Sequence, residues 1–471
     1  MRLRVTLLFL CLAPALVRAG ADTIHLKNGR TIVADHVREN GNRYEYEIGE
    51  DIYGIPKSSV DHIETGGMPA HSSAAAKLGD LPSFAPANSL AGEGDLVSKV
   101  ITEGKVNQDA LAALEGKGNP ELSATADFIA GKFEFEHGDI AHAREYLESA
   151  LRFQPGNSTV LIYYAALLVR TGNASQALQY AQRAVQSAPD SPDSYTMLGY
   201  VQFASDHTKD AIASWKRSLE LRPDPAVQKF LDKAQREQTA EADFASNESS
   251  HFVVHYEGHQ ISDVLRGQIL AALESDYEDL SRDLGTPPRD NILVTLYTET
   301  GFFDVTQAPN WVGALYDGKL RIPINGLTSV TSELARVLKH ELVHAFVAKI
   351  SGGRCPPWLN EGIAQYLEPR TLNGQGHQLA LLFKSQQQIP LNVLEGSFMR
   401  FSGSTASLAY AESLAAVSYI VDSYGTSDVQ RILERLSEGN STEAALRATI
   451  HSDYGQLETD LARYLADRYG D

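Results

Sequence analysis

The chain has 471 residues, of which 43% are hydrophobic and 21% charged. That composition fits two to four globular domains and excludes a disordered or membrane-spanning polymer. A net charge of −19 repels phosphate backbones and anionic lipid heads, which argues against nucleic acid or a membrane surface as partner.

Residues 1–21 read as a secretory signal peptide: Arg2 and Arg4, an apolar run from Val5 to Val17, then small residues around Ala19. The run is too short to span a bilayer, and Leu-Phe-Leu before Cys11 does not suit lipid attachment. Removing its three arginines takes the charge from −19 to about −22. The mature chain, expected in the periplasm or outside the cell, then keeps one cysteine, Cys355, and no internal disulfide. No later run is apolar and long enough for a stable membrane span.

Residues 22–65 alternate in polarity around Asn28-Gly29 and again around Gly49-Glu50-Asp51, which predicts hairpins in a small SH3-like or Sm-like β-barrel. Residues 66–92, rich in Gly, Ala, Ser and Pro, predict a flexible linker. A helical segment over about 94–116 opens a helical region, 93–240.

That region contains a repeat. Pro155, Pro189 and Pro223 are 34 residues apart, as are Ala143, Ala177 and Ala211, and Ala150, Ala184 and Ser218 keep the step. Small residues let paired helices approach, and each proline stops a pair. With Tyr195, Leu198, Gly199, Ala211, Trp215 and Pro223 in the third unit, the pattern resembles tetratricopeptide repeats. The resemblance implies an α-solenoid with a concave surface for a protein partner or a polypeptide.

The polar stretch 236–249 predicts the end of the array. Residues 251–258 and 291–298 read as strands, and WVGALYDGKLRIPI (311–324) as a hairpin turned at Asp317-Gly318. Helices dominate afterwards, so 250–471 is expected to be an α+β domain.

The chemistry lies in KHELVHAFVAKISGGRCPPWLNEGIAQYLE, residues 339–368. Thr331 or Ser332 caps a helix that ends at Gly352-Gly353. On it His340 and His344 are one turn apart and share a face, the spacing that grips one Zn²⁺. Glu341, turned by about 100° from His340, is placed to act as general base on a zinc-activated water. Pro357 suits the first turn of a second helix, from which Glu361 can supply a third ligand and leave one position open.

HELVH followed by WLNEGIAQYLE resembles the gluzincin branch of zinc metallopeptidases, the thermolysin-like group, and especially bacterial peptidase-MA-like domains. The resemblance spans about 250–471. It implies His340, His344 and Glu361 as zinc ligands, Glu341 as base, and a strand beside the cleft, 320–324 or 311–315, that pairs with extended substrate. It also implies an oxyanion donor on a later helix, for which Tyr410 is chosen over Tyr419 and Tyr424. Sixteen residues separate His344 from Glu361, a little fewer than in thermolysin.

Other residues have blander readings. Cys355 suits a small buried hydrophobe, His251 and His255 ordinary strand positions, and Gln365 either support for a ligand or solvation. Asn157, Asn173, Asn247 and Asn440 stand in glycosylation contexts. The sequence reads as an exported zinc metallopeptidase. The alternatives are a tetratricopeptide scaffold with a vestigial or structural zinc site, and a zinc hydrolase acting on another bond.

Overall fold

The computed structural model describes residues 22–27, 31–34, 36–48, 51–64, 93–258, 261–308, 312–324, 326–372, 374–398 and 401–470. The expected signal peptide and linker, and the tips of both amino-terminal hairpins, lie outside these residues. The chain divides into two compact units, one of Met1–Ala70 with Phe401–Leu408 and one of His71–Arg400 with Ala409–Asp471.

In the first unit, β1 (Asp22–Leu26), β2 (Thr31–Ala34), β3 (His36–Asn40), β4 (Arg43–Ile48), β5 (Asp51–Pro56) and β6 (Val60–Glu64) form two three-stranded antiparallel sheets, ordered β2-β1-β6 and β3-β4-β5. Both expected hairpins are present. A closed barrel is not shown: among the described residues no ladder joins the two sheets, and β6 returns to β1 across a register shift at His25/Leu26.

The second unit opens with α1 (Glu93–Val100), a small hairpin of β7 (Ile101–Thr102) and β8 (Lys105–Val106), and α2 (Gln108–Glu115). The expected continuous helix over 94–116 is thus broken. Glu103 and Gly104 both take positive φ there and reverse the chain.

Three helical hairpins follow: α3 (Pro120–His137) with α4 (Ile140–Phe153), α5 (Ser158–Arg170) with α6 (Ala174–Ser187), and α7 (Pro192–Ala204) with α8 (Thr208–Leu221). Pro155, Pro189 and Pro223 each fall two residues past the second helix of a pair. Ala143, Ala177 and Ala211 are fully buried, and so are Ala150 and Ala184. Close approach explains the small residues: a Cβ on Gly199 would stand 2.7 Å from the Trp215 ring. The last helix of this array, α9 (Pro225–Ala240), leads into the next domain.

There β9 (Phe244–Glu248), β10 (Phe252–Glu257), β11 (Ile292–Tyr297), β12 (Leu315–Tyr316) and β13 (Leu320–Pro323) form one sheet, ordered β12-β13-β11-β10-β9. The sheet therefore begins before residue 250, in the stretch read from sequence as polar connector. β10, β11 and β13 run parallel, with α10 (Asp263–Leu284) between β10 and β11 and α11 (Glu299–Thr306) after β11. β12 and β13 make the hairpin turned at Asp317-Gly318, with Gly318 at φ 100°.

The rest is helical: α12 (Ser332–Ile350), α13 (Pro357–Leu367), α14 (Gly376–Lys384), α15 (Gly403–Tyr424), α16 (Thr426–Ser437), α17 (Thr442–Ile450) and α18 (Tyr454–Tyr469). No helix among the described residues is long and apolar enough to cross a membrane.

Array and sheet share a buried charge cluster. Glu237 on α9, fully buried, pairs with Lys319 at 2.5 Å and with Arg321 at 2.7 Å. Lys319 also reaches Asp206 at 2.8 Å, and Asp317 pairs with Arg321 at 2.9 Å and Lys233 at 2.7 Å. Beside it lies a cavity of about 160 Å³, walled by Tyr200, Phe203 and Phe230 of the array and by Ile292, Tyr316 and Ala348.

Candidate metal centre

α12 starts where Thr331 accepts a hydrogen bond from the Leu334 amide at 3.1 Å. It ends where Gly352 and Gly353 take φ of 60° and 74°, a left-handed pair that favours glycine. Pro357 occupies the first turn of α13. The reversal brings the two helices together with their polar residues facing inward: His340, Glu341, His344 and Glu361 are each at most 4% exposed.

The donor atoms converge. Glu361 Oε2 lies 3.2 Å from His340 Nε2 and 3.6 Å from His344 Nε2. One donor atom from each of the three residues lies within 4.8 Å of the others. A cation bound at roughly 2.0–2.1 Å in a tetrahedral shell holds neighbouring donors about 3.3 Å apart, so the residues present fit such an ion. Glu361 is the third donor expected from the sequence, and the shorter His344–Glu361 connection does not pull it away.

The far nitrogens of both rings are occupied. His344 Nδ1 is 2.9 Å from Asn360 Oδ1, and His340 Nδ1 is 3.4 Å from Glu368 Oε2. Burial disfavours charge on His340, but the carboxylates of Glu368 and Glu361 outweigh it and raise its pKa to about 10. Burial prevails at His344 and lowers it to about 4.

Glu341 follows His340 on α12 and is fully buried. Tyr410, on α15 and 4% exposed, packs edge-on against Phe398. Burial, then the charges of Glu361 and Glu341, push its phenol pKa well up. Tyr419 instead packs against Tyr424 and Tyr464.

Gln365 supports the centre through the backbone. Its amide donates to the carbonyls of Glu361 at 3.2 Å and Tyr410 at 2.9 Å, tying α13 to α15. Gly362 permits that approach, since a Cβ there would stand 2.4 Å from the Ser413 carbonyl oxygen. Cys355 is half-buried with its thiol facing the Pro356 carbonyl. His251 and His255 have separate carboxylate partners, Glu274 and Asp206. The strand expected beside a cleft is paired on both sides. β11 flanks one side of β13, and among the described residues β12 pairs on the other side with Leu320 and Arg321, while Pro323 offers no N–H. Sequence reading missed Glu368; its signal is a spacing of seven residues, two helical turns, after Glu361.

Residues 278–467 match the family model of the Peptidase MA superfamily. No curated protein matches the chain. Among solved structures, a mutant O-GlcNAc transferase from Thermobaculum terrenum aligns with 75% of this chain and 98% of its own length, at 14% identity and a TM-score of 0.22, too slight a likeness to carry an argument. The family match and the donor geometry together identify the carboxy-terminal part of the chain as a metallopeptidase-like domain.

Proposed function

We propose that the chain is an exported zinc-dependent metallopeptidase that hydrolyses peptide bonds, with its helical array engaging a protein partner or the polypeptide substrate. The observation that carries this reading is the convergence of His340, His344 and Glu361 beside Glu341. These three would hold one Zn²⁺. When bound, the ion polarises a substrate carbonyl and lowers the pKa of a water molecule to roughly 7.

Glu341 then takes a proton from the attacking water and delivers it to the leaving amine. Its burial suits that task, because a carboxylate shielded from bulk solvent is a stronger base. Tyr410, kept protonated by burial and by Glu361 and Glu341, donates a hydrogen bond to the developing oxyanion. His344, neutral at pH 7, is already in its ligating form. Export rests on residues 1–21, and a partner role for the array on its 34-residue repeat.

The low exposure of the whole centre favours one second reading, a scaffold whose buried ion is structural or vestigial. Zinc content and cleavage of casein or a peptide library, in wild type beside Glu341→Gln, separate the two. The proposal expects one zinc in both proteins and a loss of at least 10²-fold in cleavage by the variant. Persistent cleavage by Glu341→Gln rules out Glu341 as base. A zinc-loaded wild type that cleaves nothing supports the scaffold.

A further inference from the structure

We propose that Glu368, backed by Arg370, is a positioning residue that orients His340 toward the ion. This rests on the reading of His340 as a ligand. Glu368 lies seven positions after Glu361, so the two carboxylates leave nearly the same face of α13 and its end. They address opposite nitrogens of one ring: Glu361 Oε2 is 3.2 Å from His340 Nε2, and Glu368 Oε2 is 3.4 Å from His340 Nδ1.

A neutral imidazole ligates through one nitrogen and carries its proton on the other. A carboxylate at Nδ1 selects the Nδ1–H tautomer, aims the Nε2 lone pair at the centre, and makes that nitrogen a better donor. Arg370 Nε stands 3.0 Å from the other oxygen of Glu368 and offsets its charge as an ion pair. Glu368 is 3% exposed, and a carboxylate that buried is costly without such partners. Gln365, one turn after Glu361, uses its NH2 group on the carbonyls of Glu361 and Tyr410. The two histidines are therefore treated differently. His344 faces a neutral amide oxygen on Asn360, and His340 faces a charge.

The test uses the full chain, wild type and the variants Glu368→Gln, Arg370→Met and Asn360→Ala. Zinc affinity is measured by competition with a chromogenic chelator, and the His340 and His344 ring signals by ¹⁵N–¹H NMR of the zinc-loaded proteins. Glu368→Gln is expected to weaken zinc 10- to 100-fold and to move the His340 Nδ1–H proton upfield while leaving His344 in place. Arg370→Met is expected to produce a smaller change of the same sign, and it carries the test if Glu368→Gln does not fold. Asn360→Ala is expected to move the His344 signal alone. Unchanged affinity and an unchanged His340 signal in Glu368→Gln overturn the assignment and leave the peptidase reading standing. A wild type that binds zinc and cleaves nothing does the reverse, and a wild type that takes up no zinc overturns both.

Discussion

Replacing Glu237 with Gln tests the charge cluster that joins the array to the sheet of β9–β13. Glu237 is fully buried, and its two oxygens separately engage Lys319 at 2.5 Å and Arg321 at 2.7 Å. Lys319 and Arg321 are themselves almost wholly buried. Glutamine keeps the shape and removes the charge, so Lys319 and Arg321 each lose one carboxylate and keep another, Asp206 and Asp317. Removing one partner of a buried pair costs about 3–5 kcal/mol when the remaining charge is left alone at low dielectric, which sets the upper bound here. For a unit this large the expected fall in melting midpoint is at most on the order of 6–10 °C. Thermal melts followed by circular dichroism measure it, and urea denaturation gives the free energy. The double variant with Lys319→Met should lose less than the sum of the single variants, since the second change removes one of the two cations. A loss below about 1 kcal/mol, or strict additivity, would refute the claim that these charges are mutually dependent.

Three further outcomes follow from the geometry. Gly362→Ala, whose Cβ would meet the Ser413 carbonyl oxygen at 2.4 Å and Val417 at 2.5 Å, is expected to cost about 1–3 kcal/mol and to lower zinc uptake by displacing Glu361; thermal melts and metal analysis check it. Glu412 accepts from the Ile389 amide, and burial, with Glu458 nearby, raises its pKa to about 8. The folded state thus keeps a proton that the unfolded chain has released. Stability should fall as pH rises from about 4.5 to 8, by at most ~1.4 kcal/mol per pH unit, and Glu412→Gln should flatten that slope in denaturation curves. With the His340 pKa raised to about 10 and that of His344 lowered to about 4, zinc uptake at pH 7.5 should release about one proton from His340 besides that of the bound water, read by calorimetry in buffers of different ionisation enthalpy; no release would contradict the raised pKa of His340.

Local spacing determined much of this protein in advance. The 34-residue step is a property of consecutive helical turns, and its alanines and prolines have the burial and positions that helical hairpins demand. His340 and His344 share a face because any α-helix puts residues four apart on one side. Gly318, Gly352 and Gly353 mark reversals because positive φ favours glycine. Tertiary structure decided the rest, because those interactions join residues far apart in the chain. Glu237 meets Lys319 and Arg321 across more than 80 residues, and no local pattern signals that pairing. Gln365 reaches Tyr410 across 45 residues. The strand order β12-β13-β11-β10-β9 set β12 against β13 at Leu320 and Arg321. Glu368 became a partner of His340 only once the Gly-Gly and Pro-Pro reversal set α13 against α12. A helix specifies which side chains share a face, and packing alone specifies what that face meets.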